Sequence, residues 1–519
     1  MKIIVCIIYI FFLLQDGFAS PKNGNIPRKE TLYINITIGK FQKNDTVTLK
    51  VWDHIFGKPE LSPHKKIIAI LDSNGVCHFR VENIVDFVYF SLGHGEVDSK
   101  RFQPYFNYYL AQPGDNINIK ITNANQKLPD EKSIFFSGTN ATAYTFQRDI
   151  KTIEQKITDS LMKKNKNVSY DFKDSIEYQR YYAGKLPSLN WAINRVFHLD
   201  SVQLSYLNSI RRRISQAFFD RLYFDVVGTN HRGLCNGYQG VYSSINKFIS
   251  IQAKDSLRKT MKSFYTKNIK KLIELPLDRN AYKSFWYVDY LIKKELLTVD
   301  YDFDDAFKLL STRYFGKIRD QLLVTFLSDY YQTIPSVQTL MNRALRLVKS
   351  DFAIAQLLEL DNLSSKGKSA YVFNLPDKNG HLYSLDKLKG KVVFLDFWYV
   401  GCGPCMQYFK TDVQNAEEFY LNNPDVTFIT ICLYTNWDAW QKTLTSKNGV
   451  YTSDNAINLI AEGAKGDFIA QKYMVRGAPR PILIGKDGRI FCNNVRELRD
   501  NINGNMLIQS IKNAMLETK

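Results

Sequence analysis

Between residues 31 and 138 apolar and polar positions alternate with a period of two. Leu32, Ile34, Ile36 and Ile38 alternate with Tyr33, Asn35 and Thr37, and Ile117, Ile119 and Ile121 with Asn118 and Lys120. Such alternation predicts strands with one buried face. Stretches 47–52, 67–71, 77–81 and 87–92 continue the series. Asp72-Ser73-Asn74-Gly75 predicts a hairpin and Pro113-Gly114-Asp115 a turn. Short strands at this spacing predict a β-sandwich over 31–138.

From 139 to 363 the apolar spacing changes to three and four. Ile150, Ile153, Ile157 and Leu161 form one such row, and Ile210, Ile214, Phe218 and Leu222 another. An α-helical middle domain is expected over 139–363, with breaks at Pro187, at 228–240, at Pro276 and at Pro335. The aromatic residues Tyr181, Tyr182, Phe285, Trp286, Tyr287 and Tyr290 are read as core, with a binding groove as the alternative. Residues 361–369 read as a linker. Over 364–519 the pattern alternates strand and helix. Strands are expected at 371–375, 391–398, 426–434, 482–484 and 489–492. Helices are expected at 406–419, 437–446, 468–475 and 506–516.

The N-terminus changes where this chain works. Met1-Lys2, an apolar run over 3–14 and Gly17-Phe18-Ala19 read as a secretory signal peptide, 1–19, with a lead-in at 20–30. Outside the cytoplasm disulfides persist. Of seven cysteines, Cys6 lies in the apolar run, and the six others are too sparse for a disulfide scaffold. Cys77, Cys235, Cys432 and Cys492 are expected to be buried free thiols, with a Cys77–Cys235 bridge left open. The net charge is +18, and about twelve of these charges fall in 141–360, densest at Arg211-Arg212-Arg213 and 267–271. For an exported chain a solvated helical face or contact with an anionic membrane surface is preferred over nucleic acid.

Chemistry is legible in one place. The apolar run 394–400 leads into Gly401-Cys402-Gly403-Pro404-Cys405 at the start of an expected helix. A helix N-terminus stabilises a thiolate through its unpaired N–H groups and dipole. Cys402, expected to be the more exposed, is the candidate nucleophile and Cys405 the resolving thiol. Gly403 and Pro404 keep the turn tight, and Pro404 suits a first helical turn. The same spacing is half of a zinc site, but Cys432 and Cys492 stand alone and supply no second pair. No metal and no cofactor beyond a Cys402–Cys405 redox disulfide is expected.

The element order over 368–519 resembles the thioredoxin fold, and Gly403-Pro404 is the dipeptide of thioredoxin itself. Phe373-x-Leu375, Gly380 and Leu385-x-x-Leu388-Lys389-Gly390-Lys391 resemble exported thiol–disulfide oxidoreductases of the TlpA and AhpC/TSA-like type. Many of these are envelope proteins of Gram-negative bacteria with an N-terminal β domain and a helical insert. The resemblance implies that Pro479 is the cis-proline facing the cysteines. It implies that Ala478 offers its backbone to substrate, that Asp396 is a buried acid with a raised pKa serving Cys405, and that Trp398 lies just ahead of the loop. Three positions depart from the pattern. Gly401 stands where Trp is usual, removing a lid and opening the nucleophile. Arg480 stands where Thr is common, adding a cation. Tyr408 stands where an acid is frequent. Trp398, Gly401, Gly403, Pro404, Ala478 and Arg480 are the expected substrate contacts.

The implied activity is protein-disulfide exchange, reduction more than oxidation, in a Gram-negative periplasm or envelope. Its partners would be protein disulfides and a membrane electron donor, without nucleic acid. A peroxiredoxin would need Pro and Thr or Ser where Leu395 and Tyr399 stand. The other alternative is an envelope binding or scaffold protein whose redox module is accessory.

Overall fold

The computed structural model describes residues 29–42, 44–53, 65–95, 103–123, 133–162, 175–245, 251–275, 277, 280–433, 437–445, 450–475, 477–500 and 502–517. The expected signal peptide lies outside the described residues.

Among the described residues eight strands come first: β1 (Glu30–Ile38), β2 (Thr46–Trp52), β3 (Lys65–Ile70), β4 (Val76–Ile84), β5 (Val88–His94), β6 (Gln103–Ala111), β7 (Asn116–Ile121) and β8 (Ile134–Gly138). They form two four-stranded sheets, ordered β4-β1-β7-β8 and β3-β2-β5-β6. β1 runs parallel to β7 with Ile34 opposite Ile117 and Ile36 opposite Ile119, which places both apolar rows on one face. Leu32, Ile34, Val51 and Phe90 from the two sheets share one core. The turn at 72–75 is not a hairpin: it joins β3 to β4, which belong to different sheets. Turn chemistry sets the local reversal, but the burial of each apolar face chooses the pairing partner.

Among the described residues nine α-helices follow: α1 (Ala141–Met162), α2 (Ser175–Ile210), α3 (Gln216–Ser244), α4 (Ile251–Phe264), α5 (Phe285–Thr298), α6 (Phe303–Arg313), α7 (Gly316–Tyr330), α8 (Val337–Leu347) and α9 (Asp351–Ser364). Ser215, Ser284, Asp302 and Ser350 cap α3, α5, α6 and α9, each side chain accepting a first-turn N–H. Two expected breaks are absent. α2 continues through Pro187, and α3 runs unbroken across 228–240. Gly228 is there for close approach: a Cβ on it would lie 2.4 Å from the Tyr287 backbone nitrogen of α5. Phe285, Tyr287 and Tyr290 are buried core rather than groove. α9 takes in the first part of the expected linker, up to Ser364, and Asp361 near its end accepts from Ser365 Oγ at 2.5 Å. Phe218, Leu222, Val226 and Phe285 pack into the core of the sheets, so the β and helical parts are not separated by a polar gap. Among the described residues no helix is long and apolar enough to cross a membrane.

The last segment holds β9 (Asn374–Pro376), β10 (Leu382–Ser384), β11 (Val392–Trp398), α10 (Gly403–Tyr408), α11 (Gln414–Phe419), β12 (Val426–Leu433), α12 (Trp437–Leu444), β13 (Ile457–Ala461), α13 (Gly463–Lys472), β14 (Arg480–Ile484), β15 (Ile490–Cys492), α14 (Val495–Leu498) and α15 (Asn505–Leu516). A π-helical turn, Phe409–Val413, joins α10 to α11. The sheet order is β13-β12-β11-β14-β15. β11 is central, parallel to β12 and antiparallel to β14. The edge strand β13 is absent from the elements expected above. Its run 457–461 is short, and only pairing with β12 identifies it as a strand. Val393, Leu395 and Phe397 face one core, while Val392 and Phe394 face a second with Tyr408, Leu507 and Ile511.

Candidate active site

All seven residues of β11 are buried. A central strand covered on both faces reads as a continuous apolar run, and it carries the chain rigidly to the loop that follows. There Tyr399 and Val400 are each 39% exposed. Gly401 adopts φ +89°, a conformation that favours glycine. Cys402 then caps α10, its Sγ accepting the Cys405 N–H at 3.1 Å, and Pro404 occupies the first turn.

Cys402 and Cys405 form a disulfide with their Cα atoms 5.3 Å apart. The expected difference in exposure is not found: Cys402 is 1% exposed and Cys405 2%. Both side chains pack into a cluster with Trp398, Cys432, Trp440 and Tyr451. Gly401, Gly403 and Pro404 form the exposed rim instead. The Ala478–Pro479 peptide bond is cis, and the Ala478 carbonyl oxygen lies 3.7 Å from Cys402 Sγ.

Asp396 lies two residues before Trp398 on β11, on the face that α10 covers. Its Oδ1 has no hydrogen-bond partner among the described residues. Burial pushes the carboxyl up to about 7, against the opposing pull of the Arg480 and Phe397 backbone N–H groups and the Arg499 and Arg480 charges. A carboxyl so placed exchanges a proton near neutrality.

Two expected substrate contacts are corrected. Arg480 is 1% exposed. Its Nη1 donates to the carbonyls of Asn493 at 2.5 Å and Pro481 at 3.3 Å, and Nε and Nη2 are buried without partners among the described residues. It is no cation on the surface around Cys402, because the strand pairing of β14 carries its side chain inward. Trp398 is fully buried, with its indole N–H donating to Thr430 Oγ1 at 3.3 Å. Tyr408, in place of an acid, is buried and donates to the Leu498 carbonyl at 2.8 Å.

Tyr451 is a site residue that the sequence does not reveal. It stacks on Trp398, and its hydroxyl oxygen accepts the Gly401 N–H. The next residues anchor it: Thr452 Oγ1 donates to Asn458 Oδ1 at 2.6 Å, and Ser453 Oγ to Glu417 Oε2 at 2.5 Å. Glu417 is buried and pushed up to about 7 by that burial. Nothing around position 451 marks it locally; 53 positions of chain separate it from Trp398.

The remaining described cysteines, Cys77, Cys235, Cys432 and Cys492, are buried and unpaired, so Cys77 and Cys235 are not bridged. Burial pushes the thiols of Cys77, Cys235 and Cys492 up to about 12. Thiols held this high are poor nucleophiles at neutral pH. Among the described residues no cluster of three or more His, Cys, Asp or Glu side chains could hold a metal ion.

A central β11, a disulfide opening α10 and a cis-proline loop opposite it define a thioredoxin-like redoxin domain. Residues 365–503 match the Redoxin family. The chain is 32% identical over 124 residues to the thiol-disulfide oxidoreductase ResA of Bacillus cereus, covering 24% of this chain and 66% of that protein. It is 28% identical over 129 residues to ResA of Halalkalibacterium halodurans, covering 25% and 68%. The chain thus spans just under two thirds of the Bacillus cereus relative. Solved structures with the same likeness include the thioredoxin domain of a Bacteroides vulgatus thiol-disulfide oxidoreductase, 19% identical. The match covers 29% of this chain and 96% of that one, with a TM-score of 0.24. A thiol-disulfide oxidoreductase from Bacteroides fragilis is 22% identical, with 28% and 100% covered and a TM-score of 0.24.

Proposed function

We propose that this chain is an exported thiol–disulfide oxidoreductase that reduces protein disulfides in a bacterial envelope. The observation that carries it is the Cys402–Cys405 disulfide at the start of α10 with the Ala478 carbonyl beside Cys402 Sγ. In the reduced protein the Cys402 thiolate attacks one sulfur of a substrate disulfide. A mixed disulfide forms and one substrate thiolate leaves. Cys405, its proton taken by Asp396, attacks Cys402 Sγ, which closes the protein disulfide and frees the second substrate thiolate. Two electrons pass to the substrate, and a membrane electron donor restores the dithiol.

Substrate backbone pairs with Ala478 at the cis-proline loop, over the rim of Gly401, Gly403 and Pro404. Trp398 serves from beneath, through Tyr451. The chain divides into a signal peptide 1–19, a lead-in 20–30, a β-sandwich 31–138, a helical domain 139–363 and the redox domain 364–519. The basic helical surface faces an anionic membrane, and nucleic acid is not a partner.

The test uses reduced mature protein and insulin as the disulfide. Wild type is expected to reduce insulin with loss of its two active thiols, and Cys402→Ser to be inert. Cys405→Ser should accumulate a covalent adduct through Cys402, identified by mass spectrometry. Reduction that persists in Cys402→Ser would overturn the assignment.

A further inference from the structure

The loop that carries Ala478 and Pro479 is gripped on both flanks by the helical domain. On its N-terminal side Met474 has a left-handed backbone, φ +51°, rare for a residue with a side chain. Its side chain packs against the core of the helical domain rather than that of its own sheet. Its carbonyl accepts from Gln332 Nε2 at 2.8 Å, just beyond the end of α7. The Gln332 carbonyl in turn accepts the Val495 N–H at 3.2 Å. On the C-terminal side Arg480 Nη1 donates to the Asn493 carbonyl, and the Asn493 side chain donates to the Tyr331 hydroxyl. Tyr331 is buried. Two adjacent residues at the end of one helix therefore reach both ends of the stretch 474–480, Gln332 directly and Tyr331 through Asn493, and Ala478 within that stretch lies against Cys402.

We propose that the helical domain is part of the redox site, with Tyr331 and Gln332 as positioning residues that hold the Ala478 carbonyl at Cys402. Ordinary domain packing does not require this arrangement. Arg496, whose guanidinium lies 5.3 Å from the Phe303 ring centre, joins the same two domains without touching the loop. A backbone acceptor that must pair with an extended polypeptide depends on its exact place, whereas a small disulfide needs only the cysteine. The grip therefore acts on protein substrates and spares small ones.

The experiment compares Gln332→Ala, the near-isosteric Tyr331→Phe and the control Arg496→Ala in the mature protein. Two readouts are taken: amide exchange at Gly477, Ala478 and Arg480, and the ratio of kcat/KM for insulin to the rate with the small aromatic disulfide dithiobis(nitrobenzoate). Gln332→Ala is expected to speed exchange about tenfold, as loss of one partly buried hydrogen bond allows. It is expected to lower the insulin ratio about tenfold through misplacement of the acceptor. Tyr331→Phe should move both in the same direction and by less, and Arg496→Ala should move neither. The proposal is overturned if Gln332→Ala and Tyr331→Phe leave loop exchange unchanged, or if Arg496→Ala matches them. The activity arm rests on the redox role proposed for Cys402. If wild type reduces neither disulfide, that role fails, and loop exchange alone decides the proposal.

Discussion

Tyr451 lies nearly parallel to Trp398, with ring centres 4.7 Å apart and planes 13° from parallel, while its hydroxyl oxygen takes the Gly401 N–H at 2.9 Å. One side chain thus covers the aromatic residue beneath the active loop and pins the residue before Cys402. Gly401 was expected to leave the nucleophile open. Tyr451 closes the site from a distant loop instead.

Tyr451→Phe keeps the stack and removes the acceptor. Its expected cost is about 1 kcal/mol of stability, the usual net worth of one hydrogen bond. Tyr451→Ala removes both and is expected to cost roughly 3 kcal/mol. Urea unfolding of the oxidised protein measures each. Equal losses in the two variants would show that the stack contributes nothing.

Asp396 links stability to pH. Its folded pKa is raised from 3.8 to about 7. The folded chain therefore keeps a proton that the unfolded chain releases. The stability this contributes is fully present below about pH 4 and is lost as pH rises through about 7. Glu417, raised from 4.5 to about 7, acts in the same sense. Asp396→Asn removes the first contribution. Relative to wild type, the variant is expected to gain roughly 4 kcal/mol on going from pH 4 to pH 8.5 in urea titrations. A pH-independent difference would contradict the burial of a carboxylate here.

The same substitution separates stability from chemistry. Asp396→Asn cannot accept the Cys405 proton, so release of a preformed mixed disulfide at pH 7 is expected to slow on the order of 10²-fold. The attack by Cys402 should change little. Stopped-flow mixing with a fluorescent disulfide peptide resolves the two steps, and an unchanged release rate would remove Asp396 from the mechanism.

The reductase role proposed for Cys402 and Cys405 predicts a reducing potential. A titration against glutathione or dithiothreitol buffers is expected to give a potential near about −270 mV. A value near about −120 mV would instead make this chain an oxidant.

Gly228→Ala places a methyl group against the Tyr287 backbone of α5, at 2.4 Å before relaxation. It is expected to destabilise by about 2 kcal/mol or more, since backbone must move to admit it. Gly240→Ala on the same helix meets nothing within 4 Å. It should be neutral or gain about 0.5 kcal/mol through the unfolded state. Thermal unfolding of the pair separates close packing from helix propensity.

The sequence by itself determined what is local. Period-two and period-three-to-four patterning marked the strands and helices in order, because side-chain burial follows backbone geometry within a single element. The pair Cys402 and Cys405 was legible because two cysteines at that spacing, opening a helix, need no distant partner to be reactive. Pro479 and Asp396 became legible through resemblance, since their positions relative to the cysteines recur. The tertiary structure decided whatever depends on pairing between distant segments. Strand β13 exists as a strand only because β12 lies beside it. The turn at 72–75 joins two sheets because each strand buries its face elsewhere. Arg480 points inward because β14 pairs with β11, and Cys402 is covered because Tyr451 returns to Trp398. Met474 packs against the core of the helical region, which no local pattern encodes. Contacts of this kind arise from the summed burial of whole faces, and that sum is fixed only when the sheets and helices have chosen their neighbours.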